Sequence, residues 1–283
     1  MDFFHPQEIR TVLERHGFHF SKALGQNFLT QSWVPERMMT DSGVDRDCVV
    51  LEIGPGMGTL TQAIARYAKK VVAVELDHAL IPVLAETLAE FDNVTVLEGD
   101  ILKKNLSELC AKYFDGEKRK LVCANLPYYI TTPILSYLLE SRLFDGVCVM
   151  MQKEVALRLC AKSGTADYGA FTVFTQYYAE PEILFSVPAS CFVPQPKVDS
   201  AIVYLKTREK PPVPVKDEKL FFKVVRASFA QRRKKLVNGL AAAFGQKEML
   251  VNLLAELGFS ENVRGETLNI PDFARIANAL ADK

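Results

Sequence analysis

Three groups of residues in this sequence could do chemistry: a glycine-rich loop, two carboxylates further along, and an Asn-Leu-Pro-Tyr tetrapeptide. Residues 52–58 read Glu-Ile-Gly-Pro-Gly-Met-Gly, after an apolar run and before a helical pattern. Glycines there let the backbone turn sharply and let a ligand approach without a Cβ in the way. An ordinary tight turn is the plain alternative. A dinucleotide fingerprint needs GxGxxG, and counting from Gly54 or Gly56 puts Thr59 or Thr61 in the last place. The GxGxG spacing instead suits S-adenosylmethionine, which has no pyrophosphate to seat on a helix N-terminus. Glu75, at the end of the next apolar run, could accept hydrogen bonds from both hydroxyls of a ribose. Asp100 could take an adenine amine, or simply cap its own turn.

Asn125-Leu126-Pro127-Tyr128 is the most specific of these features. An aromatic amine is a poor nucleophile because its lone pair is delocalised into the ring. A site that methylates one must hold both N–H groups with acceptors, so that the nitrogen can become tetrahedral. Asn125 offers an amide oxygen and Leu126 a backbone carbonyl. Pro127 pins that carbonyl by forcing its predecessor to extended geometry. Tyr128 offers a flat face for a base taken out of its stack. Such a transfer needs no metal and no strong base, and orientation and electrostatics supply most of the rate. Taken alone, the tetrapeptide could equally be a turn.

The elements that must position these groups alternate along the chain. Residues 48–53, 70–75, 94–97, 121–124 and 147–152 read as buried strands, with amphipathic stretches 59–68, 77–91 and 130–140 between them. Two further strands are expected over 182–187 and 200–206. This is the α/β pattern of a mostly parallel sheet, which binds ligands beyond the carboxyl ends of its strands. The glycine loop, Glu75, Asp100 and Asn125 all fall at such ends. Residues 207–214 hold three prolines in four positions and suit a linker. The periodicity beyond is helical. The expected domains are therefore residues 1–206 and a small helical domain over 215–283.

The chain has 283 residues, 49% of them hydrophobic, and a net charge of zero. Zero charge alone argues against a polyanionic partner. Yet residues 206–235 hold eleven Lys/Arg against three acids, and a local field decides where a polyanion docks. Lys223, Arg226, Arg232, Arg233, Lys234 and Lys235 are the candidates, expected on a helix; a solvated charged face is the alternative. No run reaches the length of a membrane span, and residues 1–10 lack a secretory apolar region. The six cysteines form no CxxC pair or zinc spacing and fit a reducing cytoplasm. No metal is expected. The histidines, His5, His16, His19 and His78, have no partner that would suit catalysis, and a monomer is the default.

With these motifs in place, the sequence resembles the ribosomal RNA adenine N6-dimethyltransferase family, and within it the bacterial branch acting on small-subunit (16S) rRNA. The likeness starts at residues 22–29 (KALGQNFL), runs through the glycine loop, Glu75, Asp100 and Asn125–Tyr128, includes residues 192–200 (FVPQPKVDS) and ends in residues 226–238. It implies a Rossmann-like class I methyltransferase fold with a small C-terminal helical domain. It implies S-adenosylmethionine as cofactor, held by Asn27, Leu29, Gly54, Gly56, Glu75, Asp100 and Asn125. It makes Asn125, Leu126, Pro127, Tyr128 and Phe192 the catalytic set, with Tyr128 and Phe192 sandwiching the flipped adenine. From residues alone, Phe192 reads better as core filler. The partner implied is small-subunit rRNA within a pre-ribosomal particle, two adjacent adenosines near its 3′ end being dimethylated. A related large-subunit (23S) methyltransferase of the antibiotic-resistance type, or an idle RNA-binding assembly factor, are the other readings.

Overall fold

Apolar alternation becomes architecture at the central strand. In the computed structural model, which describes residues 6–18 and 27–283, the run Cys48–Ile53 is buried along its whole length. A strand buried on both faces must be flanked by other strands and covered by helices. The elements run α1 (Pro6–Arg15), β1 (Phe28–Leu29), α2 (Trp33–Ser42), β2 (Cys48–Ile53), α3 (Thr59–Tyr67), β3 (Lys70–Glu75), α4 (Ile81–Thr87), β4 (Val94–Glu98), α5 (Leu106–Tyr113), β5 (Arg119–Asn125) and α6 (Thr131–Ser141). Then come β6 (Gly146–Gln152), α7 (Lys153–Leu159), α8 (Ala170–Tyr178), β7 (Ala179–Val187), β8 (Phe192–Val193) and β9 (Ser200–Thr207). The chain closes with α9 (Glu218–Ala230), α10 (Leu236–Phe244), α11 (Lys247–Glu256) and α12 (Ile270–Ala281).

Seven strands form one sheet in the order β4-β3-β2-β5-β6-β9-β7. The pairs β2–β3, β3–β4, β2–β5 and β5–β6 are parallel, and β9 runs antiparallel to β6. Strand order therefore reverses between β2 and β5, which opens a crevice at their carboxyl ends. On one face, Val50, Cys123, Cys148, Met150 and Ile202 pack with Met38, Met39, Leu60 and Ile64. The expected helix over 77–91 is shorter: Asp77 caps a single 3-10 turn at His78–Leu80, and Pro82 sits in the first turn of α4. Proline there costs nothing, since that N–H has no partner in the helix anyway.

The chain divides into two compact units, Met1–Ala156 with Glu180–Thr207, and Leu157–Ala179 with Arg208–Lys283. One boundary falls at the start of the proline-rich segment. The second unit, however, also takes residues 157–179, which the linear pattern assigns to the sheet domain. The reason is aromatic: Phe174, Tyr177 and Tyr178 of α8 meet Phe221 and Phe222 of α9, with ring centroids 5.0–5.7 Å apart. Tyr177 and Tyr178 both donate to the Glu218 carboxylate. Within this unit α10 crosses α9 so closely that a Cβ on Gly239 would collide with the Ala227 carbonyl oxygen. Gly239→Ala should therefore cost about 1–3 kcal/mol, seen as a lower urea midpoint with an unchanged slope.

Candidate active site

The crevice at the strand-order reversal is a cavity of about 1060 Å³, part of it open to solvent. Each expected cofactor residue is on its wall: Asn27, Leu29, Gly54, Gly56, Glu75, Asp100 and Asn125. So are Leu126, Pro127 and Tyr128. The glycine loop runs through left-handed conformations at Gly54 (φ 68°), Gly56 (φ 62°) and Gly58 (φ 93°), which explains its composition. A Cβ on Gly56 would press on the Phe28 ring at 3.0 Å, so loop and N-terminal segment are packed against each other. Of the 22–29 motif, residues 22–26 lie outside the described residues, as do His5 and His19.

Glu75 is buried at the β3 end and both its oxygens are already held. One accepts from the Gly56 amide at 3.1 Å, the other from the Asp77 amide at 2.8 Å. Burial raises its pKa despite those bonds. Each oxygen keeps a further lone pair, so the carboxylate is oriented yet still able to accept. Asp100 does cap its turn, one oxygen accepting from Leu102 N at 3.0 Å; the other lies 3.9 Å from Lys103 Nζ and accepts no hydrogen bond among the described residues. The capping and ligand roles are thus compatible.

At the end of β5, Asn125 Nδ2 donates to the Asn27 carbonyl at 3.1 Å. A carbonyl can only accept, so the atom facing it must be the amide nitrogen, and Asn125 Oδ1 is the free end. Pro127 O accepts from Ile130 N and Thr131 Oγ1, whereas neither Asn125 Oδ1 nor the Leu126 carbonyl accepts a hydrogen bond among the described residues. The half-buried Tyr128 has its hydroxyl 2.9 Å from Ser200 Oγ, which fixes the ring. The sequence pattern assigns Ser200 no role of its own; its place at the start of a buried strand is the available signal.

Phe192 does not join this group. It is 3% exposed, sits in the core cluster with Val187 and Cys191, and is not on the cavity wall. The residue expected to pair with Tyr128 thus lies in β8, which pairs with β1: Phe28 opposes Val193 and Leu29 opposes Phe192. That ribbon ties the two flanking motifs together.

Residues 17–282 match the family described as ribosomal RNA adenine dimethylase. The chain belongs to that family. The family's members are S-adenosylmethionine-dependent methyltransferases, and this chain is one, with the class I fold. It is 48% identical to the ribosomal RNA small subunit methyltransferase A of Geobacillus thermodenitrificans, over 97% of this chain and 96% of that one. The protein of the same name from Bacillus cytotoxicus is 49% identical over the same shares. Among solved structures, a dimethyladenosine transferase from Plasmodium falciparum superposes with a TM-score of 0.73 at 25% identity, covering 88% of this chain and 95% of that one. The 23S rRNA methyltransferase ErmE superposes with a TM-score of 0.67 at 25% identity, covering 90% and 99%.

In this family member Lys223 and Arg226 lie on α9, as expected, but the four-residue basic run beyond them is not helical. Arg232–Lys235 form the turn between α9 and α10, because the chain leaves helical geometry at Gln231 (φ −126°, ψ 60°). Arg232, though exposed, bonds Glu266 at 3.0 Å and the Thr165 and Ala166 carbonyls. Lys235 pairs with Glu261 at 2.8 Å, and Lys223 lies 4.3 Å over the Phe244 ring. Arg226, Arg233 and Lys234 are exposed, with no ion pair among the described residues.

One group beneath the loop has no role in the sequence pattern. Glu52 is fully buried in β2, and neither oxygen makes a hydrogen bond of normal geometry. Burial pushes its pKa up to about 8, with the Thr61 hydroxyl pulling back and the Glu75 charge adding to the rise. An acid inside an otherwise apolar strand is the signal. In the unfolded chain it ionises near the ordinary carboxylate value, so between that pH and 8 the native state holds the extra proton. The contribution of Glu52 to stability is therefore fullest below about pH 4.3 and falls as pH rises towards 8. Glu52→Gln should flatten that decline and raise the melting temperature at pH 8 more than at pH 5; equal shifts at both would put the carboxyl in water.

Proposed function

We propose that this enzyme dimethylates the N6 amine of two adjacent adenosines near the 3′ end of small-subunit (16S) rRNA, late in small-subunit assembly. The observation that carries the reading is the pair of acceptors without internal partners at the end of β5, Asn125 Oδ1 and the Leu126 carbonyl, on the wall of the glycine-lined cavity. Two acceptors for two N–H groups hold an exocyclic amine and let its nitrogen leave conjugation with the ring. Pro127 keeps Leu126 extended. The Tyr128 ring, held by Ser200, gives a removed base a face to stack on.

The residues present fit S-adenosylmethionine. Gly54 leaves open backbone for its methionine part, Glu75 would hold the ribose, Asp100 the adenine, and Asn27 and Leu29 would cover it from the N-terminal side. Bound there, it supplies an electrophilic methyl group. The chain's own part is to orient the amine at Asn125 and Leu126 and to exclude water. Once methylated, the amine is cationic and strongly acidic, so it sheds its surplus proton after attack and needs no strong base.

The names borne by the 48–49% identical relatives support the small subunit as substrate. The likeness to ErmE, at 25% identity, keeps a large-subunit substrate as the second reading. All six cysteines are free, which supports a cytoplasmic setting; we take the protein to act as a monomer. With labelled cofactor, the purified protein should label adenosine in an immature small ribosomal particle. Asn125→Ala should abolish transfer while retaining part of its cofactor affinity. Label confined to large-subunit RNA would favour the second reading, and wild-type turnover by the variant would remove the acceptor mechanism.

Phosphate contacts fall to Arg226, Arg233 and Lys234, whose charges no acid neutralises among the described residues. Replacing Arg233 and Lys234 by glutamate should flatten the dependence of log affinity on log salt by roughly 1–2 units, measured by particle binding at several salt concentrations. Arg232→Glu should instead lower the melting temperature, since it breaks the bonds to Glu266, Thr165 and Ala166.

A further inference from the structure

Tyr129 comes directly after Tyr128 in the turn that leads into α6, and the two tyrosines are in opposite situations. Tyr128 is half-buried and its hydroxyl is held by Ser200. Tyr129 is 59% exposed, more than any other large apolar side chain among the described residues, and it lines the same cavity. Its hydroxyl has no hydrogen-bond partner among the described residues, and the next residues, Ile130 and Thr131, already start the α6 turn. The other well-exposed apolar residue on this wall, Leu76, comes after Glu75 at the end of β3, beside the candidate ribose acceptor. Tyr129 stands at the end of β5, on the side of the amine acceptors.

A ring left in water at the mouth of a site is apolar surface that a ligand can cover. On the reading that the cavity accepts an adenosine from RNA, the ligand is nearby by construction. An RNA base drawn out of its stack strips its neighbour of a stacking partner on that side. An aromatic side chain at the rim can replace it, and does so with little regard to base identity, since every base has a π-face. We propose that Tyr129 is the stacking platform for the nucleotide next to the target adenosine. The pair Tyr128–Tyr129 then holds two consecutive nucleotides, the first inside the cavity and the second at its edge. For a substrate with two adjacent targets, the edge nucleotide is itself an adenosine before or after its own turn in the cavity.

The proposal rests on the adenosine-methylating reading above, and the test separates the two. Methylation of an immature small ribosomal particle is measured for wild type, Tyr129→Ala, Tyr129→Phe and Tyr129→Trp, with S-adenosylhomocysteine binding by calorimetry on the same preparations. Tyr129→Ala should raise KM for the particle about ten-fold with a smaller change in kcat, and leave the S-adenosylhomocysteine affinity unchanged. Tyr129→Phe and Tyr129→Trp should restore the wild-type KM, because the ring and not the hydroxyl does the stacking. A wild-type KM in the alanine variant overturns the proposal. So does a phenylalanine variant as impaired as alanine, or a parallel loss of S-adenosylhomocysteine affinity, which would place Tyr129 in the cofactor pocket. Wild-type protein that binds S-adenosylhomocysteine yet leaves the particle unlabelled would sink the substrate reading, and this proposal with it.

Discussion

An asparagine amide presents an acceptor at one end and a donor at the other, and a site that must accept two N–H bonds works with only one of its two orientations. Here the choice is made by the bond from Asn125 Nδ2 to the Asn27 carbonyl, across 98 residues of sequence. Because that partner is a backbone carbonyl, flipping the amide would set two oxygens against each other. Asn27 is in turn held by the three residues after it: Phe28 and Leu29 pair with Val193 and Phe192, and Thr30 N donates to Cys191 O at 2.9 Å. The segment that packs on the glycine loop and the segment that ends at Ser200 are thus one ribbon. Ser200 holds Tyr128. Asn125, the N-terminal segment and the Tyr128 ring are positioned by one connected set of side-chain and backbone bonds.

The carboxylates show the cost of such a site. Glu75 and Glu52 are both buried near the glycine loop, and burial raises the pKa of each. Glu75 is offset by two backbone amides that also aim it, the preorganisation on which electrostatic recognition depends. Glu52 has no such compensation. A strand of this composition would be more stable with an apolar residue in its place, and departures from the local rule cluster at working sites. The left-handed glycines make the same point in backbone terms.

Most of this is legible in the sequence where chemistry and periodicity coincide. Parallel strands advertise themselves as continuous apolar runs, and their ends show as abrupt changes to Gly, Glu, Asp and Asn, so the cavity wall at Gly54, Glu75, Asp100 and Asn125 can be read directly. Features that escape are set by contacts distant in sequence. Phe192 is buried in the core cluster and opposes Leu29 across the β1–β8 pair, a placement that no local pattern reveals. Residues 157–179 cluster with the C-terminal helices because their aromatic side chains meet Phe221 and Phe222. The helical spacing of Lys223 and Arg226 predicts a continuation through Arg232–Lys235, where tertiary bonds to Glu266 and Glu261 override it.

That last difference changes how the basic stretch should be understood. Eleven positive charges against three negative in residues 206–235 make a strong local field on a neutral chain. Field and contact are separate properties, however. Arg232 and Lys235 add to the potential while their guanidinium and ammonium groups are committed to internal partners, and Lys223 covers a phenylalanine ring. On the proposed reading, the cations left to meet phosphates are Arg226 near the end of α9 and Arg233 and Lys234 in the turn beyond it. A tight turn whose flanking residues are anchored by ion pairs holds its free cations in one arrangement. A flexible basic tail binds any polyanion; a fixed turn favours phosphates already spaced to match, which is how a folded RNA is recognised by shape rather than by sequence.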